Sequence, residues 1–119
     1  MVPLTSSLVD MLDALGRREV SARELLAAHL ARIERLDGSI NSVVTLATER
    51  AEREAADIDE ARARGDEVGE LAGVPITVKD AIATAGIRST GGAVELRDHV
   101  PVDDAAVVET VRDAGAVVF

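Results

Sequence analysis

The one lysine of this chain, Lys79, sits between Val78 and Asp80 in the stretch LAGVPITVKDAIATAGIRSTGG, residues 71–92. The other twelve of its thirteen Lys and Arg residues are arginines. The distinction is chemical. A guanidinium does not give up its proton near neutral pH, whereas an ammonium removed from water can. A neutral lysine amine can then act as general base for a serine nucleophile. The alternative is structural: a strand-end lysine whose stem reaches to water, with Asp80 as a surface counter-ion. On these residues alone both readings stand. Ser89, in RSTGG, is the nearest serine downstream, but Ile76 occupies the place where an SxxK arrangement needs its serine. Ser89 therefore reads as a turn residue.

Other candidates carry less chemistry. His29 falls near the apolar side of an expected helix and His99 in a loop, and neither has a partner at metal-ligand spacing. Asp103 and Asp104 could form a carboxylate pair for acid–base work, but they precede a helical pattern and read as its cap. No HExxH, GxxxxGK[ST] or GxGxxG motif occurs. The Arg/Glu run over 49–64 reads as a solvated helix face.

The elements that must position Lys79 follow from periodicity. Ser7 and Asp10 form a weak capping signal before Leu8, Met11, Leu12 and Leu15, with Gly16 as the stop. The start MVPLTSSLVDMLDALG has no basic n-region and reads as an amphipathic helix. Ser21 and Glu24 form a stronger capping box ahead of Leu25, Leu26, Leu30, Ile33 and Leu36, ending at Asp37–Gly38. A third helix over about 46–64 has a thin stripe of Ala47, Ala51, Ala55, Ile58 and Ala61, with Gly65 closing it. From Gly69 the composition shifts, and Val74, Ile76 and Val78 alternate with Pro75, Thr77 and Lys79 as in a strand. Turns fill 81–101 around Gly86, Gly91 and Gly92. A helix over 105–114 is then expected to face Val107, Val108 and Val111 inward, and 116–119 reads as a buried strand. The fold class expected is α/β: a helical segment, 1–65, beside the start of a parallel or mixed sheet, 66–119. The uninterrupted apolar run at 116–119 suggests an incomplete fragment, with an exposed apolar face and some self-association.

Bulk properties narrow the function. The net charge is −9, with −3 in residues 1–65 and −6 in 66–119, so neither half offers a basic footprint for nucleic acid or anionic lipid. No apolar run approaches the roughly 20 residues of a bilayer span. The absence of cysteine excludes a disulfide framework and favours a cytoplasmic location. Phe119 is the one aromatic residue, so the core must be aliphatic.

Residues 71–92, followed by LRDHVPVDDAAVVETVRDAGAVVF, resemble the N-terminal third of amidase signature hydrolases, and VSARELLAAHLARIERLDGSINSVVTL is similar to that family's opening helices. The resemblance implies that Lys79 is the lysine of a Ser–cis-Ser–Lys triad. Gly73, Pro75, Gly86, Asp104, Ala105, Gly115 and Ala116 fall on scaffold positions of the pattern, and Asp80 on one that supports the lysine. Ala93 replaces a frequent serine, and Ser89 the first of two threonines. The implied reaction is hydrolysis of a small-molecule amide through an acyl-enzyme, without cofactor or metal. The two serines and the oxyanion donors would come from a Gly/Ser-rich segment outside these residues, leaving the chain alone inactive. The candidate protein partners are a second copy, in a homodimer, or the partner subunit of a tRNA-dependent amidotransferase, of which this would be the A (glutaminase) subunit. A non-catalytic product or interaction module is the remaining alternative.

Overall fold

Local capping chemistry sets the first half of the molecule, for which a computed structural model describes residues 6–119. Helix α1, Leu8–Gly16, opens on a complete capping box: the Ser7 hydroxyl accepts from Asp10 N at 3.2 Å and the Asp10 carboxylate accepts from Ser7 N at 3.1 Å. Residues 1–5 of the expected N-terminal helix lie outside the described residues. Helix α2, Ala22–Leu36, begins with the Ser21–Glu24 box. Helix α3, Thr48–Arg64, ends at Gly65, whose φ of +80° suits a residue without a Cβ.

The alanine stripe explains how α2 and α3 pack. Ala51 and Ala55 are fully buried, and such small side chains let two helix backbones approach closely while Leu25 and Leu26 of α2 fill the core. Burying Leu26 contributes roughly 1.5–3 kcal/mol. Polar side chains of α3 reach out in two directions, to the start of α2 and to the segment before the first strand. Asp59 of α3 accepts from Ala22 N (2.7 Å) and Arg23 N (3.1 Å), so it caps α2 from outside. Arg62 reaches Ala72 O at 2.9 Å. The charged face of α3 is therefore not wholly solvated, contrary to the expectation from its Glu/Arg alternation.

In the second half, strand β1 (Pro75–Ile76) pairs in parallel with β2 (Val117–Val118), Pro75 opposite Val117 and Ile76 opposite Val118. Helix α4, Ala106–Asp113, leads into β2. The α/β class thus holds, but β1 is shorter than the alternation to Val78 implied: Phe119 N donating to Ile76 O at 3.2 Å is the last ladder bond, and Thr77 to Lys79 find no strand partner among the described residues. Just before the strands the two chain segments touch backbone to backbone. Leu71 N donates to Ala114 O (2.8 Å) and Gly73 N to Gly115 O (3.0 Å). Gly115 has φ +90°, and a Cβ there would lie 2.8 Å from Ala72 Cα, so the close approach needs glycine.

Two expectations around α4 are corrected. Val107 is 56% exposed; Val108, one residue on, is buried and shares a face with Arg112, which rotates Val107 outward. Neither Asp103 nor Asp104 caps the helix. The N-cap is Ala105, without a side-chain bond, because the Asp104 carboxylate accepts instead from Ala85 N at 2.6 Å. Asp104 belongs to a closed circuit. Its Oδ2 lies 3.2 Å from Arg112 Nε, an ion-pair contact without hydrogen-bond alignment. Arg112 Nη1 donates to Glu54 at 2.9 Å, Arg50 Nε donates to the same oxygen at 2.9 Å, and Arg50 Nη1 returns to Ala85 O at 2.8 Å. Both polar groups of one loop residue are thereby held by charges from α3 and from α4 with the residues before it.

Candidate active site

The carboxyl ends of the two parallel strands open into a cleft of about 510 Å³, the position at which parallel α/β sheets usually take ligands. Lys79 lies three residues beyond the end of β1, and Phe119 one beyond β2; both line the cleft. One wall is the segment 42–45. Asp37 sets its base by accepting from Ser42 N (2.8 Å), the Ser42 hydroxyl and Val43 N (3.1 Å), and the Ser42 hydroxyl chiefly draws the Asp37 carboxyl below its ordinary range. Arg88 spans to that wall, donating to Val44 O at 3.2 Å and Thr45 Oγ1 at 3.3 Å.

The opposite wall is the turn-rich segment 80–92. Asp80 organises it: its carboxylate accepts from the Thr90 hydroxyl and from Thr90 N (3.1 Å), and its backbone carbonyl accepts from Gly91 N (3.0 Å). The Thr90 hydroxyl bond first, then the Thr90 N–H, holds the Asp80 carboxyl below the usual carboxylate range; burial opposes this, and the Gly92 N–H and Arg88 guanidinium add to it.

Lys79 is exposed, so the burial expected of a lysine on an apolar strand is not supplied by these residues. Among the described residues its ammonium forms no hydrogen bond and no ion pair, and the expected counter-ion role of Asp80 gives way to the Thr90 contacts. Ser89 is buried. Its hydroxyl donates to Ile87 O at 3.1 Å and accepts from Thr84 N at 3.4 Å, which makes it the turn residue its context suggests. His29 Nδ1 lies 2.8 Å from Leu25 O, and its ring meets Phe119 edge-on at 6.4 Å. His99 lies in the loop, where its carbonyl accepts from Ser89 N. Among the described residues no group of three or more His, Cys, Asp or Glu could hold a metal, and no helix is long and apolar enough to cross a membrane.

Sequence reasoning singled out Lys79 and Asp80 but missed Thr90, Arg88 and Asp37. Thr90 and Arg88 act through contacts 10 and 43 residues apart, for which no spacing rule exists. For Asp37 a local signal was present, since an Asp ahead of Gly and two serines in DGSINS favours a side-chain-to-backbone turn.

Lys79 therefore stands at the strand-end mouth of the cleft, beside the ordered turn 90–92, with no hydrogen bond or ion pair among the described residues. The chain belongs to the amidase family, whose model matches residues 24–119. It is 44% identical over 110 residues to the A subunit of the glutamyl-tRNA(Gln) amidotransferase of Moorella thermoacetica, and 46% identical over 113 residues to its counterpart in Methylococcus capsulatus. These matches cover 92% and 95% of this chain but 23% of each relative. Among solved structures it is similar to a bacterial aryl acylamidase of the amidase signature family, with TM-score 0.89 and 26% identity over 96% of this chain and 24% of that one. The peptide amidase of Stenotrophomonas maltophilia matches with TM-score 0.85 and 32% identity over 98% of this chain and 24% of its own. The chain thus spans about a quarter of the length of these relatives.

Proposed function

We propose that these 119 residues are the N-terminal part of one amidase domain, acting in the cytoplasm, and that Lys79 is the general base of its amide hydrolysis. The observation that carries this reading is the placement of the one lysine, without a hydrogen-bonding or ionic partner among the described residues, at the mouth of the cleft in a chain matched by the amidase model. In the proposed reaction the neutral Lys79 amine takes a proton from a cis-serine, which takes one from a nucleophilic serine. Both serines would be supplied by the Gly/Ser-rich segment of the complete domain. The nucleophile adds to the carboxamide carbon, backbone N–H groups hold the oxyanion, and ammonia or an amine leaves carrying the returned proton. Water then releases the carboxylate from the acyl-enzyme. The desolvation that helps an ammonium shed its proton would come from the remainder of the domain, since Lys79 is exposed here. No cofactor enters this scheme.

A second reading, glutamine hydrolysis as the A (glutaminase) component of a tRNA-dependent amidotransferase, is favoured by the 44% and 46% identities to proteins of that name. Ammonia would then pass to a partner subunit.

Replacing the matching quarter of the Moorella protein with this chain tests the role of Lys79. The chimera should release ammonia from glutamine or from a simple amide, and Lys79→Arg should lower that rate at least about 10³-fold. Undiminished hydrolysis in the Lys79→Arg chimera sinks the assignment. In the complete protein that carries these residues, ammonia from glutamine together with copurification of a B-type subunit selects the amidotransferase reading. Ammonia from benzamide but not glutamine selects the amidase. The 119 residues alone should release none from acetamide or benzamide.

A further inference from the structure

We propose that Asp80 and Thr90 are positioning residues for Lys79: a clamp between them keeps the carboxylate off the neighbouring amine and fixes the backbone that carries it. The inference rests on the role proposed for Lys79. Two oppositely charged side chains, adjacent in sequence, line one cleft and yet form no ion pair. The reason is on the Asp80 side. One carboxylate oxygen takes the Thr90 N–H at 3.1 Å and the other takes the Thr90 hydroxyl. That hydroxyl oxygen in turn accepts from Gly92 N at 3.1 Å, and the Asp80 carbonyl accepts from Gly91 N at 3.0 Å. Residue 80 is thereby joined to the turn 90–92 through both its side chain and its backbone, while Lys79 O accepts from Ile82 N at 2.9 Å to start the turn.

The physical consequence concerns charge. A carboxylate released from Thr90 would be shared between two cations of the cleft, the Arg88 guanidinium that already acts on it and the Lys79 ammonium next to it in sequence, and an ion pair with Lys79 favours the charged form of both groups. A base held charged accepts no proton. The clamp removes that pairing without removing the carboxylate, whose anionic state the threonine contacts themselves favour.

The chain offers a direct readout because it has one lysine. Acetylation of Lys79 by an N-hydroxysuccinimide ester, followed by mass spectrometry, reports how much of its amine is neutral and unpaired. Thr90→Ser keeps the hydroxyl and should acetylate at the wild-type rate. Thr90→Val should acetylate about two- to fivefold more slowly, the range an exposed ion pair commands. Hydrogen exchange at Thr90, Gly91 and Gly92 should lose protection in the valine variant and keep it in the serine one. Equal acetylation rates, or retained protection in Thr90→Val, overturn the clamp. In the active chimera, Thr90→Val should lower kcat up to about 100-fold, as a misplaced reacting group does, with KM little changed. Unchanged kcat also overturns it. An inactive wild-type chimera counts against the hydrolase reading alone, since acetylation and exchange still decide whether the clamp exists.

Discussion

The helical half and the loop-rich half of this molecule are held together by different means. In residues 6–65, order comes chiefly from neighbours: two capping boxes close over four residues each, and apolar stripes recur with the helical turn, with Asp59 reaching Ala22, 37 residues off, as an exception. In residues 66–119 the regular elements are two strands of two residues, one α-helix of eight and a three-residue 3-10 helix, Val94–Leu96, and order comes from side chains that seize backbone groups far away in sequence. Asp104 holds Ala85, 19 residues off, and Arg88 holds Val44, 44 residues off. The lesson is that the cleft is built where local rules are weakest. A wall of turns can bring an amine, a carboxylate and a glycine pair together, which no single helix or strand could do, but it must be tied down by distant partners.

Three substitutions break or sharpen this contrast, each read by urea unfolding of the 119-residue chain. Gly115→Ala should cost most, roughly 3–5 kcal/mol, because it adds a methyl against Ala72 at a positive φ. A cost below about 1 kcal/mol would mean that the backbone seam behind the strands is not close-packed. Arg112→Met should cost about 2 kcal/mol, since Glu54 and Asp104 lose a cation whose side chain is only 12% exposed. Hydrogen exchange should place that loss around Ala85 and α4, and an effect spread evenly over α2 and α3 would contradict the division drawn here. Ser21→Ala should cost least, about 1 kcal/mol, because Asp59 still accepts from the first two amides of α2. A loss above about 2 kcal/mol would show that the local box, rather than Asp59, holds that helix end.

The same contrast explains what was legible in the sequence. The limits of α1 and α2 follow from Ser7, Ser21 and the apolar spacing behind them, and α3 closes at Gly65 as expected, because caps and periodicity act within a turn or two. Lys79 was legible as a chemical oddity, one ammonium among guanidiniums. Its exposure was not: alternation around Val74, Ile76 and Val78 predicts a strand only where a partner runs alongside, and β2 pairs no further than Ile76. Asp104 misled for a related reason. An aspartate before a helix reads as a cap, yet a loop amide and a guanidinium from elsewhere in the fold outcompete the helix N–H groups. Thr90 carried no local mark, although it completes the turn beside Lys79.

Pro75 has a consequence for the interior side of β1. The carbonyls of Val74 and Ile76 both accept from β2, so the intervening residue points its backbone to the opposite edge, where proline has no hydrogen to offer. Pro75 is buried, so its missing hydrogen leaves no unpaired backbone donor inside the molecule on that side of β1, where any other residue would need a partner for its N–H.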